Sequence, residues 1–125
     1  MRIGELAEAA GTTTRALRHY ESEGLLHSAR SPNGYRDYAA EAVVRVRNIR
    51  ELLGVGFTLA DIRAFLRYLD RGLPPVFAAR GTCATAMRVA EGRLAELRDR
   101  IDALTRLHDG MAARLGAAPH PAGRA

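Results

Sequence analysis

From Cys83 to Leu115, apolar or small residues recur in alternating steps of four and three, at Met87, Ala90, Leu94, Leu97, Ile101, Leu104, then His108 and Met111. That spacing is the seam of a coiled coil, a single apolar stripe along an unbroken helix. At 1.5 Å per residue the helix would run about 50 Å. The rest of the chain makes only one small domain, too small to cover such a stripe, so the helix is expected to pair with a second copy through Met87, Ala90, Leu94, Leu97, Ile101, Leu104, Met111 and Leu115. Glu96 with Arg100, and Asp102 with Arg106, place an acid four residues before a base on the outer side. Gly92 and His108 are blemishes in the pattern; His108 either sets register or lies at a frayed end.

The N-terminal part has a different grammar. A short helix patterned by Ile3, Leu6, Ala7 and Ala10 runs into Gly11, and threonines suited to capping begin a second helix. At about 100° per residue, Thr14, Arg15, Arg18, His19 and Ser22 share one arc, with Ala16, Leu17 and Tyr20 on the other. One face docks on protein and the other is free to enter a groove, the layout of a helix-turn-helix. Arg15 and Arg18 carry forked donors that suit guanine or paired phosphate oxygens. Together with His19 they form the expected recognition face, with Thr14 and Tyr20 positioning phosphate. Gly24 ends this helix and Leu25 returns to the core.

A hairpin follows. Asn33-Gly34 predicts a type I′ turn with positive φ at both central residues, stiffened at its entry by Pro32. Arg30 and Arg36 flank the tip, and Tyr35 and Tyr38 lie beside them. Such a wing suits phosphate or a minor groove. Taken singly, a helix with outward arginines is often only a solvated surface, and an Asn-Gly pair only a turn. Their succession within some thirty residues is what points to DNA.

Composition bounds the alternatives. The net charge is +5, and all nineteen basic residues are arginine. Residues 1 to 57 hold eight arginines against seven acids, so the DNA reading rests on where charge is placed, not on its total. No stretch has the eighteen or so apolar residues that span a bilayer, and no signal-peptide run is seen near Met1. One cysteine fits a reducing compartment and excludes an intrachain disulfide. The expected location is the cytoplasm, without membrane association. No phosphate-binding glycine loop, nucleophile and base, or His-rich metal motif supports an enzyme.

Between the two parts, Ala40 to Leu53 reads as a helix with Val43, Val46, Ile49 and Leu53 inward and Arg45, Arg47 and Arg50 outward. Thr58-Leu59-Ala60-Asp61 resembles a capping box opening a helix with Ile62, Phe65, Leu66 and Leu69 inward. Its N-terminus offers amide groups to phosphate, which makes Thr58 a candidate DNA contact, although a capped helix closing a small core explains Thr58 equally well. Leu73-Pro74-Pro75 breaks helical character, and Val76 to Arg80 reads as a brief turn before Gly81-Thr82 open the last helix. The expected organisation is a DNA-binding domain over 1–72, a hinge over 73–81, a dimerisation helix over 82–115 and a flexible tail over 116–125.

These residues resemble the MerR family of transcription regulators. The likeness is carried by Ile3-Gly4-Glu5-Leu6-Ala7, Arg18, Tyr20-Glu21, Gly24-Leu25, Arg30, Asn33-Gly34-Tyr35-Arg36, Tyr38, Gly56-Phe57-Thr58-Leu59 and Ile62. It implies a mainly α, winged helix-turn-helix fold with a small β-hairpin wing and a long C-terminal dimerisation helix, the paired helices running antiparallel. It also implies a homodimer on double-stranded promoter DNA that bends and untwists an overlong promoter so that RNA polymerase engages both elements, in response to an effector. The element after Gly56 acts in that family as a second wing.

Cys83, at the start of the long helix, sits where the helix dipole favours a thiolate. Gly81-Thr82-Cys83 resembles the place where MerR-type sensors of divalent metals carry one ligand. Those sensors add cysteines after the helix, and the stretch from Gly116 to Ala125 has none. A soft metal wants two or three thiolates, so a metal at Cys83 would need a mixed site with His120, or less favourably His108, from a second copy. Oxidation or electrophile sensing by the thiol stands beside that reading, and so does simple packing, the commonest role of a lone cysteine on a seam. Two other functions stay open: a ligand-independent architectural DNA binder, and a metal- or thiol-binding coiled-coil protein, against which the arginine wing argues.

Overall fold

The structure is a computed structural model that describes residues 1–77, 83–119 and 121. The order of elements is α1 (Ile3–Ala10), α2 (Thr14–Ser22), β1 (Ala29–Arg30), β2 (Arg36–Asp37), α3 (Ala42–Gly54), α4 (Leu59–Ile62), a 3-10 segment (Arg63–Tyr68) and α5 (Ala84–Leu115). Two compact units divide inside α5, Met1–Ala90 and Glu91–Ala125.

In the first unit, α1 ends because Gly11 takes the left-handed conformation, φ 71°, with its N–H returned to the carbonyls of Ala7 and Glu8. Thr13 opens α2 by accepting the N–H of Ala16 at 3.1 Å. Leu17 and Tyr20 then turn inward onto Leu6, Ala7 and Ala10. α3 supplies Val46, Ile49 and Leu52 to the same core, and Ile62, Phe65 and Leu69 close it from below. The face expected at Leu53 is therefore centred one residue earlier, on Leu52. Leu66, expected inward, is exposed, because the 3-10 segment winds three residues per turn and swings it off the stripe. Phe57, Phe65, Tyr68 and Phe77 form a tilted aromatic cluster, with Phe65 and Phe77 centroids 5.2 Å apart. Cys83, Ala86 and Ala90, in the opening turns of α5, pack on this core.

The arginines of α3 do not simply face water. Arg47 donates to the carbonyl of Ala9 at 2.9 Å and Arg50 to that of Ala10 at 3.1 Å, satisfying carbonyls that the end of α1 leaves open. Arg45 donates through Nε to the Leu25 carbonyl at 2.6 Å and pairs with Asp70 at 2.9 Å. Asn48, buried, donates to the carbonyls of Leu69 and Arg71. Long guanidinium stems lie along apolar surface while their heads reach backbone, which a helical wheel does not register.

The wing is antiparallel, with Ala29 opposite Asp37 and Arg30 opposite Arg36. Its tip is not type I′. No residue other than glycine has positive φ among the described residues, so Asn33 does not adopt the left-handed conformation that turn requires. Instead the Ser31 carbonyl accepts from Gly34 N–H at 2.9 Å, which puts Pro32 at the second turn position, where its fixed φ suits a type I turn, and leaves Gly34 as the left-handed residue, φ 82°. Pro32 selected the turn over the Asn-Gly pair.

The second unit is the remainder of α5 and the chain after it. Gly116, φ 72°, ends the helix, with Ala117 N–H bonded to the Ala112 carbonyl. Along it, Glu96 pairs with Arg100 and Arg98 with Asp102. Leu94, Ile101, Leu104, Met111 and Leu115 are exposed, as is Leu107, which the four-three pattern passed over. The Ala78–Thr82 stretch, where a turn and the start of the last helix were expected, and His120 lie outside the described residues. No helix of the described residues is long and apolar enough to cross a membrane.

Candidate nucleic-acid interface

The outward arc of α2 presents Arg15, Arg18 and His19, all exposed, with Thr14 half-buried at its start. An open hollow of about 420 Å³ lies between Thr13, Arg15, Ala16 and His19. Neither the Arg15 nor the Arg18 side chain has a hydrogen bond or ion pair to any described residue, so both guanidinium forks are free to meet another molecule. Ser22 Oγ turns back onto the His19 carbonyl at 2.7 Å.

Two of the three tyrosines proposed as contacts, Tyr20 and Tyr38, sit inside the domain. Tyr20 is buried, and burial raises its pKa, with the Arg50 charge and the Thr12 side chain acting more weakly in the opposite sense. Tyr38 is 1% exposed, and its hydroxyl donates to Glu21 Oε1 at 2.9 Å. Burial first, and then the Glu21 carboxylate, push the Tyr38 phenol above its usual range. Tyr38 is thus a support inside the domain and not a residue on the contact face. The reason is its place one residue beyond β2, where its ring turns onto the core while Arg36 faces out.

On the wing, Tyr35 is exposed and carries the Arg2 guanidinium 4.1 Å from its ring centroid. Arg30 donates to the Gly34 carbonyl at 3.3 Å, a long bond that leaves most of its donors open. Arg36 pairs with Glu21 Oε2 at 2.8 Å. Arg2 and Glu21 were not singled out as site residues, since neither lies in the recognition arc or at the hairpin tip. The 2.7 Å bond from Tyr38 N–H to the Met1 carbonyl is what brings Arg2 to the wing.

Thr58 caps α4 reciprocally, accepting from Asp61 N–H at 3.1 Å while Asp61 accepts from Thr58 N–H at 2.9 Å. The capping box takes up two amide groups that a phosphate would otherwise use.

Cys83 N–H donates to Tyr68 Oη at 2.8 Å, and its carbonyl accepts from Met87 N–H, so the thiol stands at the cap of α5. The N–H of Ala86, the Tyr68 hydroxyl and Arg67 favour the thiolate and lower its pKa. No group of three His, Cys, Asp or Glu residues that would hold a metal occurs among the described residues. Among the described residues, one thiolate with arginine and tyrosine beside it does not make up the donor set that a soft cation wants.

Two family profiles match the chain, "MerR HTH family regulatory protein" over residues 1–69 and "MerR, DNA binding" over residues 43–114. The chain belongs to the MerR family. Among its MerR-type relatives, the HTH-type transcriptional regulator HmrR of Rhizobium leguminosarum bv. viciae is 34% identical over 108 residues, covering 86% of this chain and 78% of that one. ZntR of Escherichia coli K12, also an HTH-type transcriptional regulator, is 33% identical over 110 residues, with the same coverage. Nodulation protein NolA of Bradyrhizobium elkanii is 56% identical over 63 residues, 50% of this chain, which spans only 29% of that protein's length. Among solved structures, the transcription regulator PbrR691 of Ralstonia metallidurans CH34, in complex with lead(II), aligns with TM-score 0.74 at 29% identity, covering 98% of this chain and 91% of that one. HiNmlR, a MerR family regulator lacking the sensor domain and bound to promoter DNA, aligns with TM-score 0.53 at 22% identity over 94% of this chain and 91% of that one, a likeness of fold. A MerR-type helix-turn-helix, wing and long helix are thus shared across the family and this chain.

Proposed function

We propose that this chain is a transcriptional regulator that binds promoter DNA as a homodimer, with Arg15, Arg18 and His19 at base edges, Thr14 at phosphate, and Arg30, Tyr35 and Arg36 on the flanking backbone. The observation that carries the reading is the pair of exposed, unpartnered guanidinium forks on the outer arc of α2, followed directly in the chain by an arginine-bearing wing in the same compact unit. Membership of the MerR family supports it. A two-fold dimer presents two recognition helices to an inverted repeat, and the exposed Leu94, Ile101, Leu104, Met111 and Leu115 support pairing through α5. Distortion of the bound promoter, with control through DNA shape, follows from the family. Thr58 is proposed as a weaker backbone contact, since its capping box already takes up two of the amide groups around it.

The test is a gel shift at fixed salt on a duplex selected by the wild-type chain from a random library. Arg18→Ala should weaken binding about tenfold or more and relax the preference at one position of each half-site, as loss of a bidentate base contact does. Unchanged affinity and preference would remove Arg18 from the recognition face.

A further inference from the structure

The geometry points to Glu21 as a positioning residue for DNA recognition, holding the wing strand in register with the arginines of α2. The inference rests on the reading above that α2 and the wing bind DNA together.

Glu21 belongs to α2, next to Tyr20 and one turn after Arg18, yet its side chain leaves the recognition arc and is only 19% exposed. Both carboxylate oxygens are taken by the wing side: Oε1 by the Tyr38 hydroxyl at 2.9 Å, Oε2 by Arg36 at 2.8 Å. The strands of the wing are two residues each, too short for a hairpin to hold its own place. Its other tethers, Tyr38 N–H to the Met1 carbonyl, the Met1 ammonium to Asp37 and the Tyr38 carbonyl, and Arg2 over the Tyr35 ring, lead to the residues just before α1 and not to α2. Among the described residues, Glu21 therefore supplies the side-chain link from the recognition helix to β2. The link also holds Arg36, which stays half-exposed and stands opposite Arg30 in the ladder.

Charge alone predicts the reverse of what positioning predicts. A carboxylate beside a phosphate-binding surface repels the duplex, so its removal should strengthen binding to any sequence. A tether that is lost weakens binding to the preferred sequence only, because the wing no longer meets its phosphates while α2 sits at its bases.

The experiment compares the full chain with Glu21→Gln and Tyr38→Phe, on the duplex selected by the wild type and on a scrambled duplex of equal length. Thermal melts in the assay buffer check that each variant is folded. Glu21→Gln keeps an acceptor for Tyr38 and loses the charged pair with Arg36; it should lower affinity for the selected duplex about tenfold, the scale of one charge-assisted hydrogen bond. Affinity for the scrambled duplex should stay equal or rise. Hydroxyl-radical footprints should lose protection at the wing phosphates and keep it where α2 lies. Tyr38→Phe removes the other half of the tether without changing charge and should give the same wing-specific loss. Higher affinity of Glu21→Gln for both duplexes, or intact wing protection in both variants, would overturn the inference. Failure of the wild type to select any sequence would overturn the functional reading instead.

Discussion

Leu104 offers the sharpest handle on the long helix. It is 66% exposed in the single chain, so about two-thirds of its side chain awaits a partner. Full burial of a leucine is worth about 1.5–3 kcal/mol, which leaves about 1–2 kcal/mol for this one and about 2–4 kcal/mol for the two copies in a dimer. Leu104→Ala forfeits most of that, and the cavity left at a packed seam adds to the loss. At about 1.4 kcal/mol per tenfold, the dimer Kd should rise roughly 30- to 1,000-fold. The fold of each chain should scarcely change, since an exposed substitution has small effects and alanine is the better helix former. Sedimentation equilibrium across protein concentration reads the Kd, and far-ultraviolet circular dichroism at a concentration where both proteins are dimeric reads the helix. A Kd within threefold of wild type would show that Leu104 is not at the seam. Helix lost while the variant is still dimeric would show that Leu104 holds α5 itself and not only the seam.

Other consequences follow from individual side chains. Arg30→Ala should weaken selected and scrambled duplexes alike and reduce the slope of log K against log salt by about one, as for a phosphate contact; a sequence-dependent loss would place Arg30 on a base. Tyr38 and Tyr20 have folded pKa values raised above the ordinary 10.0. The neutral phenol is the form the fold prefers, so their contribution is complete below the unfolded pKa and is lost as pH rises through it toward the folded value. Melting temperature should therefore fall above about pH 10, and less steeply in Tyr38→Phe; equal alkaline slopes would refute the burial argument. Cys83 should react with iodoacetamide with a midpoint below the ordinary thiol value of 9.0, and Tyr68→Phe should move that midpoint up by removing one donor to the thiolate. An unmoved midpoint would leave Tyr68 without that role.

Much of this architecture was legible in the residues, and the misses have common causes. Gly11, Thr13 and Gly24 mark helix ends because left-handed backbone and side-chain capping are local requirements, satisfied within a few residues. The outward set Arg15, Arg18 and His19 follows from helical geometry alone. The wing turn was misread where two local signals compete: Asn33-Gly34 asks for one turn, Pro32 for another, and the fixed φ of proline prevails. Tyr38 looked like a contact because it flanks arginines in sequence, whereas its burial is decided by α2 and the core, tens of residues away. Arg45, Arg47 and Arg50 face outward on a wheel, but a wheel has no knowledge of the open carbonyls of α1 or of Leu25. Leu107 escaped the four-three count because it adjoins the stripe without lying on it. Nothing local could reveal Glu21, whose partners are set by the fold of the hairpin against the helix.

The central claim is a two-fold reader of DNA, and selection from a random duplex library by the purified full-length chain tests it most directly. The account predicts an inverted repeat, two half-sites related by dyad symmetry and bound by two chains, with enrichment lost in Arg15→Ala/Arg18→Ala. A selected consensus with a single asymmetric site bound by one chain, or no consensus at all, would contradict it.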